Sequence, residues 1–219
     1  MSEIIILTGA YGVGKSEFAS QLVLLKAPCV LADFDVINPY FRPREQAQWL
    51  LKQNVRVIGS NLKLDNNQDM PALSGEIQGA IFNQETLIID CAGSENGLKP
   101  LASFINLLQD AQVWLVVNAK RTESLIDQIK PMIELFETRS HLKISGLVHN
   151  THLLDETTAE MIICAQNDLV DLALELKIPI VYTMLNRKFY DACITQINNP
   201  VLGFDRLILR EQWMKGDTL

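Results

Sequence analysis

The chain has 219 residues, 48% of them hydrophobic and 21% charged, which suits one globular domain with a full core and excludes a disordered chain. Its formal net charge is -7 with no run of Lys or Arg, so a nucleic-acid or anionic-membrane surface has no electrostatic support and any phosphate binding must be local. No apolar stretch nears the roughly 18 residues of a membrane span, and Glu3 stands where a signal peptide would be basic, so a cytoplasmic protein is expected.

Short apolar runs alternate along the chain with longer stretches of helical spacing. Strands are expected at Ile4 to Leu7, Cys29 to Ala32, Val55 to Ile58, Thr86 to Ile89, Val113 to Val117, Ile144 to Val148 and Pro179 to Tyr182. Between them, Lys15 to Lys26, Pro43 to Lys52, Leu98 to Leu108, Glu123 to Phe136 and Thr157 to Leu176 read as helices, with Phe204 to Met214 as a closing helix. Ser60 to Pro71, rich in Asn and Asp, reads as a long loop. Repeated βαβ units of this kind predict an α/β fold of three layers, a mostly parallel sheet of about seven strands with helices on both faces. Nothing in the composition marks a linker or a second domain, so residues 1–219 are expected to form a single unit. The four cysteines, Cys29, Cys91, Cys164 and Cys193, are far apart and read as small buried hydrophobes rather than as metal ligands or disulfides.

The run Gly9-Ala10-Tyr11-Gly12-Val13-Gly14-Lys15-Ser16 matches the Walker A pattern G-x-x-x-x-G-K-S/T at every fixed position. Its context fits too, because a strand precedes it and a helix begins at Lys15. Backbone N–H groups of such a loop converge on phosphate oxygens at the positive end of the helix. Gly9 to Ser16, together with Glu17 just beyond, are therefore the expected nucleotide-contacting residues, with Lys15 at the β and γ phosphates and the Ser16 hydroxyl on Mg²⁺.

Ligands of an open α/β sheet sit at the carboxyl ends of the strands. Two apolar runs end there in acid: Asp33-Phe34-Asp35 follows Cys29 to Ala32, and Asp90-Cys91-Ala92-Gly93 follows Thr86 to Ile89. Asp90 is a Walker B carboxylate by position, able to hold Mg²⁺ directly or through water. Gly93 could bring its N–H to a γ-phosphate. Each Asp could instead be a cap or turn residue. Asn38 to Arg44 sits where a first switch belongs. Arg42 and Arg44 could reach phosphate and Tyr40 and Phe41 a partner, or the aromatics could pack on the sheet with both arginines solvated.

These residues give the chain a resemblance to the SIMIBI branch of P-loop NTPases, and within it to the MinD and ParA group. Val30-Leu31-Ala32-Asp33-Phe34-Asp35 is similar to the strand and acidic pair that follow the group's first helix, and Asp90 to Gly93 to its second switch. The resemblance implies that Asp33 supports the Mg²⁺ shell and that Asp35 positions the attacking water. It also implies that Asn150, at the end of Gly146-Leu147-Val148-His149-Asn150, reads the base; a helix cap is the alternative for that residue. A nucleotide-dependent dimer is the assembly such proteins use. One residue departs from the group: Ala10 stands where its second, signature lysine is expected.

The expected function is thus Mg²⁺-dependent binding and slow hydrolysis of a nucleoside triphosphate, acting as a switch or energy source for a partner protein. ATP is the expected nucleotide and GTP the alternative, because Asn118-Ala119-Lys120-Arg121 lacks the guanine-reading N-K-x-D pattern. A metallochaperone-type GTPase, a P-loop kinase and a nucleotide-dependent binding module with negligible turnover are the other readings. For the first, His141, His149 and His152 are too loosely grouped to deliver a metal.

Overall fold

The computed structural model describes residues 2–34, 43–59, 69–93, 101 and 104–209, the side chains of 69–74 excepted. In chain order the elements are β1 (Ile4–Thr8), α1 (Lys15–Lys26), β2 (Cys29–Asp33), α2 (Ala47–Lys52), β3 (Val55–Gly59), α3 (Asp69–Phe82), β4 (Leu87–Asp90), β5 (Gln112–Val117), α4 (Ile126–Ser140), β6 (Gly146–His149), α5 (Ala159–Leu176), β7 (Ile180–Asn186), α6 (Tyr190–Cys193) and β8 (Val201–Phe204). The strands form one eight-stranded sheet in the order β3-β2-β4-β1-β5-β6-β7-β8, and each neighbouring pair is parallel.

A parallel sheet must be covered on both faces, and the side-chain alternation of β1 shows how this is done. Ile5 and Leu7 pack with Phe18, Leu22 and Val23 of α1 and Leu50 of α2. Ile6 points the other way, into a core shared with Ile77 of α3, Ile129 and Ile133 of α4 and Leu169 of α5. Each such fully buried Leu, Ile or Phe contributes roughly 1.5–3 kcal/mol relative to exposure. On α4 the buried residues Ile129, Ile133 and Phe136 recur at helical spacing and form the inner stripe. α5 starts where the Thr158 hydroxyl accepts from Met161 N at 3.1 Å and stops at Lys177, which is left-handed with φ 57°.

The architecture is the α/β, three-layer arrangement expected, with one strand more. Phe204 was expected to open a closing helix, but Val201–Phe204 pairs with β7 as β8 and puts Leu202 into the core beside α1. Residues 205–209 are bends rather than helix, and the rest of that segment lies outside the described residues. α3 was not expected. Gly75 and Gly79 each cost about 1 kcal/mol against Ala in a helix, yet Ile77 and Ala80 are fully buried, and that burial outweighs the propensity. Asp69, Met70 and Pro71, read as the end of a loop, are its first turn. Of the helix expected at Leu98 to Leu108, Leu101 is helical and Ile105–Leu107 form a 3₁₀ turn. Cys29, Cys91 and Cys193 are buried as expected, whereas Cys164 is exposed on α5.

Gly146 opens β6 in a tight place. A Cβ there would lie 2.6 Å from a γ-methyl of Val181 and 3.0 Å from the Trp114 indole, both packed in the core beside α1. Gly146→Ala should therefore lower stability by about 1–3 kcal/mol, read as a fall in the urea midpoint. An unchanged midpoint would show that β7 yields at no cost.

Candidate nucleotide site

Strand β1 delivers the chain into the Gly9–Ser16 loop, and the loop's shape is fixed by close backbone approaches. Gly9 has φ 145°, and a Cβ on it would fall 2.5 Å from the Val116 carbonyl oxygen of β5. Gly14, the residue before α1, has φ 88°, and a Cβ there would meet Asn150 Nδ2 at 2.4 Å. Side chains are excluded at both positions on two counts, space and conformation. Gly14 gives α1 no side-chain cap, and the N–H groups at such a helix start suit an anion. Lys15 is buried, and its Nζ donates to the Ala10 carbonyl at 2.7 Å. That bond curls the ammonium group over the loop, where a phosphate would be met.

The acidic strand ends come together beside this loop. Asp33 and Asp90 are register partners on β2 and β4, Asp90 is also the partner of Leu7 on β1, and both carboxylate residues are 0% exposed. Parallel neighbours stand about 4.8 Å apart and partnered residues share a face, so two ionised carboxylates there would repel each other. Arg44 meets that charge in part: its Nε donates to Asp33 Oδ2 at 2.8 Å. The arginine was expected either at phosphate or in solvent; it is paired with a buried acid rather than solvated. Hydroxyl and carboxylate oxygens are hard donors of the kind Mg²⁺ takes, so Ser16, Asp33 and Asp90 fit that ion. Among the described residues no group of three or more His, Cys, Asp or Glu could hold a metal by itself. An ion here would complete its shell with phosphate oxygens and water.

Gly93 touches the loop directly. A Cβ on it would lie 2.7 Å from Tyr11 N and 2.9 Å from the Ala10 carbonyl carbon, so only glycine allows the approach. Asn150 is held at the same site from the other side, donating from Nδ2 to Val13 O at 2.8 Å. It caps no helix, since α5 is capped by Thr158; its amide nitrogen braces the phosphate loop. Glu17 turns away from the loop altogether. Its carboxylate accepts from the backbone N–H of Ile208 at 2.8 Å and of Leu209 at 2.9 Å, so its side chain ties down the chain after β8. Asn118 is likewise structural, donating to His152 O at 3.0 Å and accepting from Lys120 N at 3.1 Å. Asp35, Tyr40, Phe41 and Arg42 lie outside the described residues.

Next to Asn150, His149 is part of a buried polar network that sequence reasoning missed. Its Nδ1 is 2.6 Å from Gln166 Oε1, which also accepts from Thr183 Oγ1 at 2.9 Å. Gln166 Nε2 donates to Asn199 Oδ1 at 2.7 Å, and Asn199 Nδ2 returns to Thr183 Oγ1 at 2.9 Å. Gln166 Oε1 is an acceptor only, so the ring proton is on Nδ1. Burial lowers the imidazole pKa to about 4, against the opposing effect of the Gln166 bond.

No protein-family model matches the chain, and no curated protein matches it. Solved structures do. FtsY from Mycoplasma mycoides superposes with a TM-score of 0.59 at 20% identity, over 83% of this chain and 60% of that one. The signal recognition particle receptor FtsY from Elizabethkingia anophelis, in complex with GDP, gives 0.57 at 17% identity over 84% and 57%. The signal recognition particle 54 kDa protein from Aeropyrum pernix, also in complex with GDP, gives 0.52 at 17% over 82% and 40%. The chain has the fold of the SIMIBI class of P-loop NTPases. It spans about three fifths of the length of the FtsY chains it matches. The narrower likeness to MinD and ParA is not carried by these neighbours, which share the class with that group. No helix among the described residues is long and apolar enough to cross a membrane.

Two outcomes follow for this site. Asn150→Ala would strip Val13 O of a buried donor, at a cost of about 1–3 kcal/mol. The thermal midpoint should fall and nucleotide affinity with it, and an unchanged midpoint would show the brace to be idle. For His149, the unfolded imidazole binds its proton below about pH 6.5 and the folded one only below about 4. Between those values the unfolded state holds more protons, so stability rises with pH and is lost as pH falls through the window, by on the order of 3 kcal/mol in all. His149→Gln should flatten that slope in denaturant titrations, and parallel slopes for the two proteins would refute it.

Proposed function

We propose that the chain binds a Mg²⁺-nucleoside triphosphate at Gly9–Ser16, hydrolyses it slowly, and uses the difference between the two states to govern contact with a partner protein. The observation that carries this reading is the meeting, at one end of the sheet, of the phosphate loop with two fully buried carboxylates in register, Asp33 and Asp90. In this reading Lys15 leaves the Ala10 carbonyl for the β and γ phosphates, and Ser16, Asp33 and Asp90 hold the ion. When bound, Mg²⁺ supplies charge that neutralises the transferring phosphoryl group. Gly93, already against Tyr11, offers its N–H where the γ-phosphate would lie. Asp35 orients the attacking water, a role drawn from resemblance alone.

The base is the finer question. The solved neighbours in complex with a nucleotide hold GDP, which favours GTP as the first reading. ATP is the second, supported by Asn118-Ala119-Lys120-Arg121, which lacks the guanine-reading N-K-x-D pattern.

Ala10 bears on the rate. The methyl is buried in the core beside α1, so position 10 supplies no cation to the phosphates. An added cation of the arginine-finger kind is worth about a thousandfold or more, and without one the isolated chain should turn over below about one per second. The site itself is tested by calorimetry with ATP and GTP in Mg²⁺. Lys15→Ala should weaken the preferred triphosphate about ten- to a hundredfold with the fold intact. Equal affinity in wild type and variant would refute the site, and the titration of the two triphosphates against each other settles the base.

A further inference from the structure

We propose that Arg44 occupies the place of the metal ion at Asp33, so that the guanidinium and the ion compete for one carboxylate. The inference rests on the nucleotide-switch reading above and concerns how that site is loaded.

Asp33 closes β2 with its side chain fully buried, and an ionised carboxylate there is costly unless a cation or several donors reach it. The Arg44 Nε does so at 2.8 Å, from a side chain that is itself only 21% exposed. Room for this arm is left by Gly59, the register partner of Asp33 on β3. A Cβ on Gly59 would lie 3.3 Å from Asp33 Cβ and 3.9 Å from Arg44 Nε, so any larger residue would crowd the approach. Arg44 belongs to the short 3₁₀ turn Pro43–Gln46. That turn runs straight into α2, whose Leu50 is locked in the core beside α1. The arginine is thus delivered from a fixed helix by a short turn, close to Asp33.

Mg²⁺ asks for nearly octahedral oxygen ligands at about 2.0–2.1 Å and tolerates little departure from that geometry. A carboxylate oxygen engaged by a guanidinium is poorly placed for it. Loading the ion therefore displaces the Arg44 guanidinium, and the pairing raises the Mg²⁺ concentration needed to fill the site.

The test measures binding of a fluorescent triphosphate analogue across a Mg²⁺ series, for wild type, Arg44→Gln and Arg44→Lys. Thermal midpoints are taken in EDTA and in saturating Mg²⁺-triphosphate. Arg44→Gln should lower the half-saturating Mg²⁺ concentration about three- to tenfold, the scale of one partly exposed charge-assisted contact. Its midpoint should fall in EDTA and approach that of wild type in Mg²⁺-triphosphate. Arg44→Lys, which keeps the charge but not the fork, should lie between the two and serves if the glutamine variant does not fold. A variant that binds the analogue with the same or a higher Mg²⁺ requirement overturns the proposal. A wild-type protein that binds no triphosphate at any Mg²⁺ concentration overturns the functional reading instead.

Discussion

Asp33 and Asp90 stand side by side on neighbouring strands where water does not reach them, and the surroundings at this end of the sheet are arranged about their charge. The position follows from the sheet itself. Parallel strands in register end at one level, so the last residues of β2 and β4 and the loop leaving β1 share a rim. The crossover after β1 returns through a helix, and α1 brings its positive end to that rim with Lys15 as its first residue. Arg44, Lys15 and the N–H groups of α1 gather around acids that sheet geometry has forced together.

A phosphate loop needs support from outside itself, because its glycines contribute no packing. Here the support comes from residues distant in sequence. Asn150 holds Val13 from 137 positions away. Glu17 holds Ile208 and Leu209 from 191 and 192 positions away, and Gln21 bridges the same segment by donating to Glu17 Oε1 and to the Arg206 carbonyl, both at 2.9 Å. The first turn of α1 is therefore continuous, through hydrogen bonds, with the end of β6 on one side and with the chain after β8 on the other.

How legible this was depends on the range of the interaction. The buried strands were plain, since Leu87-Ile88-Ile89 and Leu115-Val116-Val117 admit little but a covered parallel strand. The Walker loop and the two acids were equally plain, because each is a local pattern next to such a strand. α3 was hidden by Gly75 and Gly79, whose cost is overcome by a burial that local sequence does not display. β8 was hidden because four residues of Val-Leu-Gly-Phe carry too short a period to separate strand from helix. The tethers of Glu17 and Asn150 were not legible. A Glu in the first turn of a helix suits the dipole wherever it points, and only the folded chain shows that its carboxylate is spent on two backbone donors.

The same distinction bears on position 10. By pattern, Ala10 is the place of a missing lysine; in the structure its methyl is 8% exposed and lies in the core beside α1, while its neighbour Tyr11 is 67% exposed. The loop thus turns an apolar side chain inward at one position and a phenol outward at the next. Within the loop itself Lys15 is the only cationic side chain, and the backbone of Tyr11 is closed in by Gly93. On the reading proposed above, further positive charge for a transferring phosphoryl group has to come from beyond the loop. On that reading the loop by itself is better fitted to hold a triphosphate than to cleave one, because its one lysine is the whole of its side-chain charge.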